Sequence, residues 1–183
     1  MAADRHSPET GTWGLSAAWW RDVIATRLDS LEAAAGRPPC VDDVVREVVW
    51  WMGADRGNIQ FRDSKSNSLR IAGHAGFGHE FLEFFAHVDD TRSACGTALA
   101  TQAAVVVPDV TTSPIFADTD TLRVLLNAQC RAVESVPLLS TSGDVFGVVS
   151  VHYRSPQIEY GSDGRQLAAI AAAVAPTLES RWS

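Results

Sequence analysis

Lysine is almost missing from this chain of 183 residues: Lys65 stands alone, and scattered arginines supply the remaining cations. With 22 acidic against 15 basic side chains the formal charge is −7. No basic stripe exists to neutralise phosphates, which argues against a direct nucleic-acid interface. Cysteine is scarce as well. Cys40, Cys95 and Cys130 are too few and too far apart for a disulfide framework or a Cys-x-x-Cys metal knuckle. No apolar run approaches the roughly 20 residues of a membrane helix. Met1 to Thr12 has no apolar leader core. A cytoplasmic protein is expected, without membrane or nucleic-acid partners. Residues 1–12 are polar and read as a disordered tail, which leaves 13–183 as one domain.

What is present begins with two helical stripes. Trp20, Ile24, Leu28 and Leu31 recur at intervals of three and four within Leu15–Ala35, and Gly36-Arg37-Pro38-Pro39 stops that helix. Val41, Val45, Val48 and Trp51 form a second stripe, with Asp42-Asp43 at its favourable first turn. Gly53 closes it. The period then drops to two: Asn58–Arg62 and Leu69–His74 alternate as a hairpin. Phe77–Phe85 and Cys95–Gln102 read as short helices, Ala104–Val107 as a strand and Leu122–Ala128 as a helical turn or two. Arg131–Leu139 and Val145–Tyr153 form a second hairpin across Ser142-Gly143-Asp144. Its last strand, VFGVVSVHY, is apolar almost throughout and expects cover on both faces. A final helix, Ser162–Arg181, carries Leu167, Ile170, Ala171, Val174 and Leu178 on one stripe. The order predicts an α+β fold with a central antiparallel sheet of five to six strands. The terminal helices would cover one face, and the short helices and loops the other.

Polar residues on those strands are the first functional candidates. Asn58 and Gln60 share one face of their strand, and Ser150 and His152 share one face of theirs. Under a two-sided cover they are buried, and an unsatisfied buried polar group costs about 1–3 kcal/mol. A pocket holding a polar ligand or ordered water would satisfy them, as would a tyrosine, a backbone carbonyl or an exposed edge. His74, His79, His87 and His152 show no metal-ligand spacing. Phe77, Phe81 and Phe84 fall on one helical face, as core or as pocket wall. All six tryptophans lie in or beside the terminal helices, and the adjacent pairs at 19–20 and 50–51 cannot both face one core. Left-over aromatics suit an interface. A homodimer is therefore expected, built on Trp19, Trp20, Ile24, Leu167, Ile170, Val174 and Leu178.

One ordered series of motifs runs from residue 41 to residue 181. It includes Gly57-Asn58-Ile59-Gln60, His74-Ala75-Gly76-Phe77, Ala94-Cys95-Gly96-Thr97-Ala98-Leu99, Val107-Pro108-Asp109-Val110, Pro114-Ile115-Phe116-Ala117 and Gly147-Val148-Val149-Ser150. In this the chain resembles GAF domains, in particular those found beside bacterial sensor kinases, here with a helical extension at the N-terminus. The resemblance implies a PAS-like sheet, a pocket between one sheet face and the middle segment, and dimerisation through the first and last helices. The pocket candidates are Asn58, Gln60, His74, Phe77, Phe81, Cys95, Asp109, Phe116, Ser150 and His152. The resemblance names no cofactor and leaves the small-molecule ligand unidentified.

Cys95 resembles a cysteine of the free methionine-(R)-sulfoxide reductases, and a helix start can lower a thiol pKa. Those GAF-fold enzymes carry their reactive cysteine in the loop that reads Ile115-Phe116-Ala117-Asp118 here, and a further one upstream where Glu83–Asp90 has none. The cyclic-nucleotide signature is broken too: Lys65 is not preceded by asparagine, and Thr121 follows Phe116-x3-Asp120. No kinase, helix-turn-helix or cyclase segment is present, so output would fall to a separate signalling protein or to sequence beyond this chain. The expected function is non-catalytic small-molecule sensing. A thiol enzyme of the sulfoxide reductase type and a pure dimerisation scaffold are the alternatives.

Overall fold

The computed structural model describes residues 17–157 and 164–182. The expected tail at 1–12, Trp13, and the start of the last helix at Ser162 lie outside the described residues, as does the side chain of Trp182. The first stripe forms α1 (Ala17–Ala35) and the second α2 (Val41–Trp51). Gly36 ends α1 at a φ of +64°, the left-handed conformation that stops a helix cheaply only at glycine. The hairpin β1 (Arg56–Asp63) and β2 (Ser68–Ala75) follows, then α3 (His79–Phe84), α4 (Ala94–Thr101), β3 (Val105–Val107) and α5 (Asp120–Asn127). The hairpin β4 (Ala132–Leu139) and β5 (Val145–Tyr153) leads to α6 (Arg165–Trp182). The helix expected from Phe77 begins only at His79, because Gly78 takes an extended cap conformation and leaves Phe77 in the preceding loop.

The five strands pair antiparallel in the order β2-β1-β5-β4-β3, which puts β5 at the centre. Strand alternation then sorts side chains into two cores. On one face Ile59, Val136, Val149 and Val151 meet α1, α2 and α6. On the other Leu69, Val133 and Val148 meet Phe81, Ala98, Phe116 and Val124 from the short helices and loops. The near-continuous apolarity of β5 thus reflects cover on both sides. Burying each of its valines contributes about 1.5–3 kcal/mol.

Between Ile59 and Gln60 the β1–β2 register slips: Gly73 stands opposite Ile59, and Ile71 opposite Gln60. Ala72 is the extra residue of this bulge. It and Gly73 lie under α2, where a Cβ on Gly73 would come within 2.7 Å of Val41 Cγ1 and 2.9 Å of the Asp42 nitrogen. Only glycine lets the helix settle so closely. The next residue, His74, donates its backbone N–H to Asp42 Oδ1 at 2.7 Å, pinning α2 to the sheet edge.

Packing within the chain corrects the expected dimer residues. Trp20, Ile24, Leu167, Ile170, Val174 and Leu178 are all at most 2% exposed and join α1 and α6 to the sheet. An amphipathic stripe records that a face needs cover, not whether the cover is a partner or the chain itself. Of those seven only Trp19 reaches the surface, 39% exposed. It belongs to a cluster of edge-on rings with Trp20, Trp50 and Trp51, in which Trp50 is 67% exposed.

Candidate functional site

The sheet face away from the long helices carries a run of polar side chains that bury completely. Asn58 on β1 stands opposite Ser150 on β5, and Ser150 stands opposite Ser135 on β4. One polar row therefore crosses three strands, with His152 beside it on β5. All four are at most 5% exposed. Ser135 and Ser150 hydrogen-bond to each other at 2.8 Å. Asn58 Oδ1 and His152 Nδ1 have no hydrogen-bond partner among the described residues. Burial, reinforced by the nearby Arg56 charge, pushes the His152 imidazole down to about 3, so it is neutral at physiological pH.

Over this row lies a cavity of about 20 Å³, room for a single water molecule. Phe81 and Phe85 from α3 and its C-cap, Phe116 from the loop after β3, and Leu125 on α5 form its roof. Ser93, Ala94 and Cys95 close one side, at the start of α4, and Thr121 and Val133 complete the lining. Ser93 is the N-cap of α4, its Oγ accepting the Gly96 N–H at 3.1 Å. Gly96 explains the small-residue motif. A Cβ there would sit 1.9 Å from the Asp90 carbonyl oxygen, so only glycine lets the segment before α4 cross over the helix start.

Six of the ten sequence candidates line this cavity: Asn58, Phe81, Cys95, Phe116, Ser150 and His152. The other four do not. Gln60 shares the face of Asn58 but lies opposite Val148, fully buried, with neither amide atom paired among the described residues. His74 pairs across the ladder with Asn58 and stays half-buried. Phe77 forms a second layer, stacked on Phe81 at 3.6 Å with its edge contact to His152 at 5.0 Å. Asp109 is a structural anchor: its carboxylate accepts the Thr111 N–H and hydroxyl and one Arg131 N–H, at 2.7 to 3.0 Å. Burial would raise its pKa, but the Thr111 bonds and Arg131 outweigh that and hold it below the usual carboxylate range.

Ser135, Thr121 and Ser93 line the cavity without having stood among the sequence candidates. For Ser135 a signal existed, since a hairpin folded about Ser142-Gly143 puts it opposite Ser150. Two of the three thiols, Cys95 and Cys130, are buried. Burial pushes the Cys95 pKa up, against the weaker effect of the Ser93 hydroxyl 3.4 Å away. It pushes Cys130 to about 11. Cys40 is exposed, at the N-cap of α2. Among the described residues no three His, Cys, Asp or Glu side chains come together as a metal site. No helix among them is long and apolar enough to cross a membrane.

No curated protein matches the chain. Among solved structures it is similar to free methionine-R-sulfoxide reductase from Neisseria meningitidis in complex with its substrate, at 20% identity and a TM-score of 0.64, covering 94% of this chain and 97% of that one. It is similar to the nlh2 GAF domain of A. aeolicus in an inactive state, at 19% identity and a TM-score of 0.64, covering 90% and 99%. The GAF domain of an Acinetobacter phosphoenolpyruvate-protein phosphotransferase matches at 15% identity and a TM-score of 0.62, covering 88% and 91%. At these identities the likeness is one of fold. The family model for the GAF domain matches residues 38–177, and with the five-stranded sheet and its roofed polar face the chain belongs to the GAF domain family.

Proposed function

We propose that this chain is a non-catalytic small-molecule-sensing module of signal transduction. One observation carries the reading: a buried polar row on the sheet, in which Asn58 Oδ1 and His152 Nδ1 lack partners among the described residues. Each such group left unsatisfied costs about 1–3 kcal/mol, and a polar ligand in the cavity recovers that cost. The mechanism is a population shift between helix arrangements, sized by the ligand's differential affinity for them. The module acts as a homodimer, and support for that now rests on the exposed Trp50 with Trp19 beside it rather than on the six buried residues.

The sulfoxide reductase relatives favour a second reading, a thiol enzyme. The thiolate is the nucleophile in such chemistry, and here burial holds Cys95 and Cys130 in the thiol form. The exposed Cys40 caps the start of α2, which packs on the other face of the sheet. The sensing reading is tested by native mass spectrometry of freshly purified protein against its denatured mass, beside a Ser150→Val variant that fills the polar row. The expected result is extra mass on the wild type that denaturation removes and the variant lacks. An apo wild type whose hydrogen exchange in α1, α2 and α6 also ignores added cell metabolites overturns it.

A further inference from the structure

Arg56 opens β1, and the fold fixes its side chain in place. The stem packs on Gly76, where an added Cβ would come within 2.9 Å of Arg56 Cγ. Its Nε donates to the Gly76 carbonyl at 2.9 Å, which orients the guanidinium and leaves the two Nη nitrogens. Nη1 is buried from bulk water and has no hydrogen-bond partner among the described residues. The nearby carboxylates are already engaged. Asp55 accepts the Arg154 backbone N–H at 2.8 Å and faces its guanidinium at 3.7 Å. Glu80 accepts from Arg123 and from Asn127, each at 3.0 Å. Arg56 therefore keeps a positive charge that no described carboxylate offsets. A half-buried charge left so is unfavourable, and a counter-ion relieves it.

The same residue lines an open hollow of about 270 Å³, between the loop from β2 to α3 and the end of α5. Sites for small molecules begin near roughly 300 Å³, so an occupant is small. Phe81, Val124 and Ala128 give the hollow an apolar wall, and Gly76 and Gly78 add no side chain to it. Glu80 also lines it, but Arg123 offsets that charge. His79 stands at the rim, 3.5 Å from Glu83. What remains is one positive charge, which a single negative charge matches. A second would meet Glu80. The planar fork of a guanidinium fits the two oxygens of a carboxylate, and the apolar wall takes a short hydrocarbon body.

The geometry points to a binding site for a small monocarboxylate in this hollow, with its carboxylate on the Arg56 guanidinium and its apolar body against Phe81 and Val124. The site lies outside the cavity and does not depend on the sensing reading. The two are neighbours all the same: Phe81 lines both spaces, and Arg56 stands opposite His152 in the ladder. The test compares acids with their isosteric amides on the intact chain, at neutral pH and low salt. Isobutyrate is set against isobutyramide and benzoate against benzamide, with inorganic phosphate beside them. Calorimetry reads affinity, and backbone amide NMR shifts read location. At least one acid is expected to bind tenfold or more tighter than its amide, a gap of about 1.4 kcal/mol. It should shift the Gly76, Gly78 and Asn127 amides, and Arg56→Gln should abolish its binding. Arg123→Gln leaves Glu80 free to repel the anion and should weaken binding several-fold, which keeps the charge argument testable if Arg56→Gln does not fold. An amide that binds as well as its acid, or silence from both acids, overturns the proposal. So do acid binding that survives Arg56→Gln, affinity unchanged in Arg123→Gln, and shifts confined to residues away from the hollow. Phosphate binding tighter than both acids overturns the monocarboxylate class. The sensing reading itself is decided separately, by the native-mass and exchange measurements.

Discussion

His152 is the residue on which the two sides of the site depend most. Its ring touches Phe77 and Phe81 edge-on, and its pKa is lowered from 6.5 to about 3, first by burial and then by Arg56. The unfolded chain therefore binds a proton at pH values where the folded chain does not. The stability this contributes is complete above about pH 6.5 and is lost as the pH falls toward 3. A His152→Gln variant keeps a neutral side chain and removes the titration. Its Tm should drop less than that of the wild type between neutral pH and about pH 4.5. Equal drops would mean that the imidazole titrates in the native protein.

Among elements, α4 is the most constrained by its surroundings. Gly96 sits on its first turn beneath the Asp90 carbonyl. Gly96→Ala forces the 90–93 segment or the helix to move and should cost about 1–3 kcal/mol, read as a lower urea midpoint. Gly78→Ala, where an added Cβ meets nothing within 4 Å, serves as the near-neutral control; similar losses in both would refute the close-approach account. This level also separates what could be read from the chain from what could not. Alternation in VFGVVSVHY assigned Ser150 and His152 to one face, because period two is local information. Thr121 and Ser93 were invisible because they cap or begin short helices in an irregular segment, where no period applies. Asp109 entered the candidate site through its motif, and only the fold shows Thr111 and Arg131 occupying its carboxylate. The buried stripes of α1 and α6 were plain in the sequence. That they cover each other and the sheet depends on bringing together segments over a hundred residues apart, which local pattern does not encode.

For the whole molecule, the outstanding surface feature is the tryptophan cluster at the start of α1 and the end of α2. Trp50 is 67% exposed and packs edge-on against Trp51 at 4.6 Å. If self-association uses this end of the helical layer, Trp50→Arg should convert a dimer to a monomer in sedimentation velocity without lowering Tm. A wild type that stays monomeric at every concentration ends the homodimer reading.

The hydrogen bond from His74 to Asp42 has a consequence that concerns coupling. Asn58, whose carboxamide lines the cavity, pairs with His74 in the ladder, and the His74 amide is held by the first turn of α2. One strand pair and one hydrogen bond thus join the interior of the site to the outer helical layer. Thermodynamic linkage makes such a connection symmetric: whatever factor ligand binding applies to the docking of α2, a protein that grips α2 applies to ligand affinity. A partner on the helical layer would therefore set the concentration at which the domain responds, and the same chain could report different ligand thresholds in different assemblies.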